Sequence, residues 1–329
     1  MKLDKIGFYT LSDERARTAS LTSIMRRCEI IIIENCNFKC PYCRGLDGRI
    51  FGDRPGKQLS LDEVKSFIDM QGELESIRFS GGEPTLHPKL VDMVAYSKEK
   101  GVKNIAISTN GYASEELYRK LAAAGITDFA VSFDAANAEM GDKLAGDIPG
   151  AWEQVCKSVK LLPTLAYTSV CMVVSPDNVD NTLETIQLAH DLGVHDIRMV
   201  SDAQHNGPIP RLAEIPQEII DAHPILYYRA LRIAAGRKVR GLESSDCKKC
   251  PLVMDDTMIA GRFHYPCPIY MREQGEPIGE VGPDMRAERG VWAKEHDVQA
   301  DPICKKNCLD FCIEYNNRFR ETNPGYASL

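Results

Sequence analysis

The chain has 329 residues, 43% of them hydrophobic and 26% charged, enough to bury a large core as one barrel-sized domain or two smaller units. A net charge of −7 removes nucleic acid and anionic membrane as default partners. The first twenty residues hold no apolar signal region and no run reaches membrane-spanning length, so a cytoplasmic location is expected.

Residues 1–27 read as an N-terminal extension. The apolar run Glu29–Ile33 then predicts a buried strand, followed at once by "CNFKCPYC" with Cys36, Cys40 and Cys43. A helix is expected in "LSLDEVKSFIDMQGE" from Leu59, with Ser60 as its N-cap and Asp62 and Glu63 in its first turn. Strand "SIRFSGG", helix "PKLVDMVAYSKEKG", strand "NIAISTNG", helix "SEELYRKLAAAG" and strand "DFAVSFDA" follow. After a less regular stretch come helix "AWEQVCKSVKLL", strand "TSVCMVVS", helix "DNTLETIQLAHDLG", strand "DIRMVS" and a longer helical segment from about Pro216 to Gly236. Six β–α units with strands apolar nearly throughout predict a parallel sheet covered by helices. Six are too few for a closed eight-stranded barrel, so an α/β fold is expected, either a partial (β/α)6 TIM barrel or a doubly wound sheet.

Past about residue 240 this rhythm stops. Residues 28–240 read as the core, and 241–329 as a small, loop-rich, cysteine-rich domain tied together by metal. Twelve cysteines in a reducing compartment point away from disulfides. Three cluster at 36–43, and six more are Cys247, Cys250, Cys267, Cys304, Cys308 and Cys312. The isolated Cys28, Cys156 and Cys171 read as small buried hydrophobes.

Ligands of parallel α/β folds gather at the C-terminal ends of strands. There the chain places Ser80–Pro84, Ser108–Gly111, Ser132–Asn137, Ser175–Asn178 and Ser201–Asn206. Each alone reads as a capped turn; together, beside clustered thiols, they read as one binding site. Structural zinc takes four protein ligands. Three cysteines in C-x3-C-x2-C suit a [4Fe–4S] cube with one iron left open.

"CNFKCPYC", followed some forty residues later by "GGEP" on the next strand, resembles the radical S-adenosylmethionine (SAM) superfamily over about residues 28–235. The resemblance implies that Cys36, Cys40 and Cys43 hold the cluster whose open iron chelates SAM. It implies that Gly81, Gly82 and Glu83 engage the methionine amino end, and that Tyr42 contacts the adenine region. Ser108, Asn110 and Ser132 are candidates for SAM's other polar groups. It further implies reductive cleavage of SAM to methionine and a 5′-deoxyadenosyl radical that abstracts hydrogen from substrate, fed by an external donor such as a flavodoxin or ferredoxin.

"CKKCPLVMDDTMIAGRFHYPC" reads either as half of a zinc ribbon or as a hairpin turning near Gly261–Arg262. The second reading resembles the SPASM/Twitch extension of radical SAM enzymes, with at least one auxiliary [4Fe–4S] cluster. Gly261 lies one residue further from Cys267 than is usual there. A closed cluster on Cys250, Cys267, Cys304 and Cys308 is the expectation; Cys247 and Cys312 are left as a second site, alternative ligands or plain thiols. The radical SAM GTP cyclases share this plan, but the chain ends "NPGYASL" without their glycine-tipped terminus, so GTP is not carried over. With only about thirty residues ahead of Cys36, no peptide-recognition domain is expected there. The expected substrate is therefore a small polar metabolite such as a sugar, aminocyclitol or nucleoside, with net oxidation or epimerisation as outcomes. Modification of ribosomal peptides is the alternative, and a non-catalytic iron–sulfur electron carrier a further one. The loop Arg44–Lys57 reads equally as a cover over the mouth, offering Arg44, Arg49 and Arg54 to anions, or as a solvated surface loop.

Overall fold

The computed structural model describes residues 25–45, 48–207, 209 and 212–323. Most of the expected N-terminal extension lies outside them. Six parallel strands follow one another: β1 (Arg27–Ile33), β2 (Ser76–Gly81), β3 (Asn104–Thr109), β4 (Asp128–Ser132), β5 (Tyr167–Val174) and β6 (Asp196–Ser201). Their order in the sheet is strictly sequential. A doubly wound sheet would reverse direction at a switch point. None occurs, and the fold is the partial (β/α)6 barrel.

The covering helices are α1 (Leu61–Gln71), α2 (Leu90–Glu99), α3 (Glu115–Ala124), α4 (Ala138–Leu144), α5 (Ala151–Leu161), α6 (Thr182–Asp191), α7 (Gln217–Ala222) and α8 (Pro224–Ala234). Helix α1 starts as its sequence predicts. Ser60 accepts from the amide of Glu63, whose carboxylate accepts from the amide of Ser60, a reciprocal cap. Helix α4 occupies the stretch that looked irregular, capped by Asn137. The expected long segment after Pro216 is two helices. Pro224 disfavours helical backbone in the residue before it, and His223 is extended with φ −123° and ψ 96°.

Beyond residue 240, β7 (Asp256–Ala260) joins the barrel sheet parallel to β1, pairing Ile30 with Ile259. Gly261 turns the chain with φ +61° into antiparallel β8 (Phe263–Tyr265), and β9 (Gly279–Glu280) completes a nine-stranded sheet. Helices α9 (Pro268–Arg272), α10 (Met285–Glu295), α11 (Pro302–Asn307) and α12 (Asp310–Thr322) make this region more helical than its composition suggests. One apolar core runs from β1 through β6 into β7, with Ile30, Ile77, Ile107, Phe129, Val170, Ile197 and Met258 all buried. Within the barrel, Asp128 sits 3.7 Å from both Arg78 and Arg198. No described helix is long and apolar enough to cross a membrane.

Candidate active site

A cavity of about 360 Å³ opens at the C-terminal ends of the strands. Cys36, Cys40 and Cys43 line it, together with Tyr42, Gly81, Gly82, Glu83, Ser108, Asn110 and Ser132. All ten residues that the resemblance places around SAM and its cluster thus share one wall of one cavity. The β5 tip departs from expectation. Asn178 accepts from the Ser175 amide and donates to the carbonyls of Asp134 and Val173, so it shapes the neighbouring strand end instead of lining the cavity.

The cysteine loop is pinned from several sides. The Lys39 amide donates to the Ala145 carbonyl at the end of α4, and the Cys43 amide to the Cys40 carbonyl. Asn110 donates from Nδ2 to Asn37 Oδ1 at 2.8 Å, and Phe38 packs against Tyr112 with ring centroids 5.4 Å apart. Tyr42 donates its hydroxyl to Asp134 Oδ2 at 2.5 Å, which ties the loop to β4.

The glycine pair is required by backbone packing. The Gly82 amide donates to the Ile33 carbonyl and the Glu83 amide to the Asn35 carbonyl, each at 2.8 Å. A Cβ on Gly81 would overlap the Ile33 carbonyl oxygen, and one on Gly82 those of Glu34 and Asn35. "GGE" is therefore zipped edge to edge onto the start of the cysteine loop. Glu83 is 1% exposed. Its Oε1 accepts from the amide and hydroxyl of Thr85 and the hydroxyl of Thr109, and its Oε2 from the Asn110 amide. Oε2 thus retains acceptor capacity toward the cavity, while burial holds the carboxyl above its ordinary pKa against these donors. Ser108 accepts from Arg78 Nη1, which leaves its own hydroxyl proton to give.

Three thiols on one loop, facing a cavity, are a donor set that fits a cluster with an open iron. Burial pushes the Cys40 thiol up to about 12 and raises Cys36. Deprotonation at neutral pH would therefore accompany metal binding.

The C-terminal thiols form a second group. Cys250, Cys267, Cys304, Cys308 and Cys312 are all raised by burial first, and each is also raised by the charge of a neighbouring cysteine, Cys247 in the case of Cys250. Cys267 caps α9, its sulfur accepting from the Tyr270 amide at 3.4 Å, and Cys250 accepts from Asn316 Nδ2 at 3.4 Å. Such N–H···S contacts are what a thiolate ligand uses to spread its charge. Cys247 is anchored through its amide to Asn317 Oδ1. Cys304 also stands within ligand reach of His296 and Asp301. Cys28 is buried, and Cys156 and Cys171 are partly covered.

Two cavity residues, Arg240 and Arg272, carry no local sequence signal, whereas Asp134 belongs to the expected strand-end cluster Ser132–Asn137. Asp134 lies just past β4, and Arg240 and Arg272 come from beyond the barrel strands. Of the loop arginines, Arg44 lines the cavity and pairs with Glu273, whereas Arg54 pairs with Glu63 on α1.

Residues 30–189 match the radical SAM superfamily. The chain carries a radical SAM domain. It is similar to AdoMet-dependent heme synthase of Methanosarcina barkeri, 33% identical over 162 residues, or 48% of this chain and 45% of that protein. Probable GTP 3′,8-cyclase of Saccharolobus islandicus is 29% identical over 175 residues, or 52% of this chain and 55% of that one. The chain spans about half the length of the curated relatives it matches. Among solved structures, native anSMEcpe with bound AdoMet and Cp18Cys peptide superposes with TM-score 0.56 at 14% identity, over 92% of this chain and 97% of that one. Streptococcus suis SuiB bound to precursor peptide SuiA gives 0.57 at 12% identity, over 86% and 66%. At these identities the likeness is one of fold, and it extends well beyond the radical SAM domain into the cysteine-rich region.

Proposed function

We propose that the protein is a radical SAM enzyme that binds SAM against Cys36, Cys40, Cys43 and the Gly81–Glu83 segment and acts on a small polar substrate in the same cavity. The observation that carries this reading is the zipper between "GGE" and the cysteine loop, which presents three thiols and the end of β2 to one space. A [4Fe–4S] cube bound there would supply the electron that cleaves the sulfonium of SAM to the 5′-deoxyadenosyl radical.

The chain's own residues bind and orient. The free acceptor capacity of Glu83 Oε2 suits the methionine ammonium, and the Ser108 and Ser132 hydroxyls suit SAM's polar groups. Tyr42, its hydroxyl held by Asp134, offers its ring to the adenine. Asn110 spends its side chain on Asn37 and on the Tyr112 amide, so its part is to shape the loop. The C-terminal thiols hold one closed auxiliary cluster, with Cys250, Cys267, Cys304 and Cys308 as the proposed ligands. Bound there, such a cluster would supply an electron acceptor for the substrate, which favours net oxidation. An external flavodoxin or ferredoxin supplies the first electron.

A cavity of this size lies within the range of small-molecule sites. Peptide modification is the second reading, favoured by the peptides bound in the anSMEcpe and SuiB structures. Incubating the reconstituted protein with candidate sugars, nucleosides and precursor peptides, and following substrate-dependent acceleration of 5′-deoxyadenosine release, separates the two. Acceleration by peptides alone overturns the small-substrate reading.

A further inference from the structure

The cavity has a second wall, built from β6 and the segment after it. Val200, Asp202, Ala203 and Arg240 line it, alongside the strand ends β2 to β4 that face SAM in the proposed function. Arg240 is 5% exposed. Its Nε donates to the Ser201 carbonyl at 2.8 Å and its Nη1 to the Asn307 carbonyl at 3.3 Å. Both partners are neutral, and among the described residues no carboxylate forms an ion pair with it. Arg272, the other guanidinium beyond the cysteine loop, also bonds only a carbonyl, that of Gly81.

A buried charge costs several kcal/mol unless a counter-charge meets it, and backbone carbonyls satisfy donors without neutralising them. Burial pushes Arg240 down to about 10, and the Arg44 charge adds to the same effect. Glu273 and Asp202 oppose this from a distance, but the Asp202 carboxylate is taken by His205 and by the amides of His205 and Asn206. Arg44 itself is paired with Glu273. One guanidinium therefore lines the cavity with no carboxylate bonded to it and its Nη2 not engaged by any described residue. That planar fork matches a carboxylate or a phosphate in two parallel hydrogen bonds.

We propose that Arg240 receives an anionic group of the substrate, a carboxylate or a phosphate, on the β6 side of the cavity. This rests on the reading that SAM occupies the β2–β4 side. It narrows the substrate from a polar metabolite to an acidic or phosphorylated one. Its anion anchors the molecule and turns the remainder toward SAM.

The test uses anaerobically reconstituted full-length protein saturated with SAM, titrated calorimetrically with inorganic phosphate and, separately, with malonate. Saturable binding of at least one of these, with one anion per chain and a Kd of about 1 mM or tighter, is expected. Phosphate alone would assign a phosphoryl group, and malonate alone a carboxylate. Arg240→Met should weaken that binding by about tenfold or more, and by far more than it weakens SAM. Arg240→Lys, which keeps a buried charge but loses the fork, should weaken it severalfold and carries the test if the Met variant does not fold. Absence of saturable binding in the wild type, or equal affinity in the variants, overturns the proposal. So does a loss of SAM affinity as large as the loss of anion affinity, since Arg240 would then serve SAM's own carboxylate. Release of 5′-deoxyadenosine by the same preparation reports the radical SAM reading separately.

Discussion

Arg272 donates from Nη2 to the carbonyl oxygen of Gly81 across 3.2 Å, joining the helix that follows Cys267 to the glycine pair at the end of β2. Helix α9 is only five residues long and its N-cap is Cys267. An auxiliary cysteine and a residue of the proposed SAM site are thus connected through a single helical turn. Arg272→Met removes a charged donor, a contact worth about 1.5–3 kcal/mol. SAM affinity should fall by about tenfold or more while iron content stays unchanged. Equilibrium dialysis with SAM measures this, and an unchanged affinity would show that the link does not support the SAM site.

Glu83 collects four donors on one buried carboxylate. Glutamine in its place turns one acceptor into a donor, so at least one of Thr85, Thr109 or Asn110 loses its partner. Glu83→Gln should cost about 1–3 kcal/mol of stability through that orphaned donor. SAM affinity should fall as well, by roughly ten- to a hundredfold, if Oε2 also holds the ammonium. Urea unfolding and SAM titration read the two effects independently. Loss of stability with full SAM affinity would leave Glu83 as a strand-end brace only.

The six β–α units were readable because fully buried parallel strands are continuous apolar runs whose polar tips mark the ligand face. "CNFKCPYC" and "GGEP" were readable because close thiols and paired glycines are rare outside such sites. The placement of β7 was not. "DTMIA" looks like any short hairpin strand, and its pairing with β1 is decided by the open barrel edge some 230 residues earlier. Arg240 and Arg272 escaped for a related reason. Each acts from a segment with no motif of its own, and only the fold carries it to the cavity. The break at His223 was written in Pro224, but the apolar period runs across it and hides the stop.

Asp196 receives the Ile225 amide on both oxygens, the Ile197 amide and the Tyr167 hydroxyl, holding the start of α8 against β6. Burial outweighs these donors and pushes its carboxyl up to about 6. The folded state therefore binds more protons than the unfolded chain between about pH 4 and 6. This contribution to stability is full below about pH 4 and is lost as pH rises through about 6. Asp196→Asn should flatten the decline of stability over that window, measured by urea unfolding at each pH. Part of the slope should remain, since burial raises Asp134 to about 6 as well. An unaltered slope would contradict the assignment.

Five C-terminal thiols share one neighbourhood where a closed cube needs four. Reconstitution should load about eight irons per chain. Alanine at Cys250, Cys267 or Cys308 should reduce this to about four. Alanine at the proposed ligand Cys304 should do the same, and a drop to about four with Cys312 but not with Cys304 would put Cys312 in its place. About four irons with one zinc in the wild type would replace the auxiliary cluster by a zinc site.

The central claim is that Cys36, Cys40 and Cys43, zipped to Gly81–Glu83, form a site for reductive cleavage of SAM. Anaerobically reconstituted protein given dithionite and SAM should release 5′-deoxyadenosine. The variant with alanine at all three cysteines should keep its C-terminal iron and release none. Equal release by the two proteins, or none from a fully iron-loaded wild type, would contradict the account.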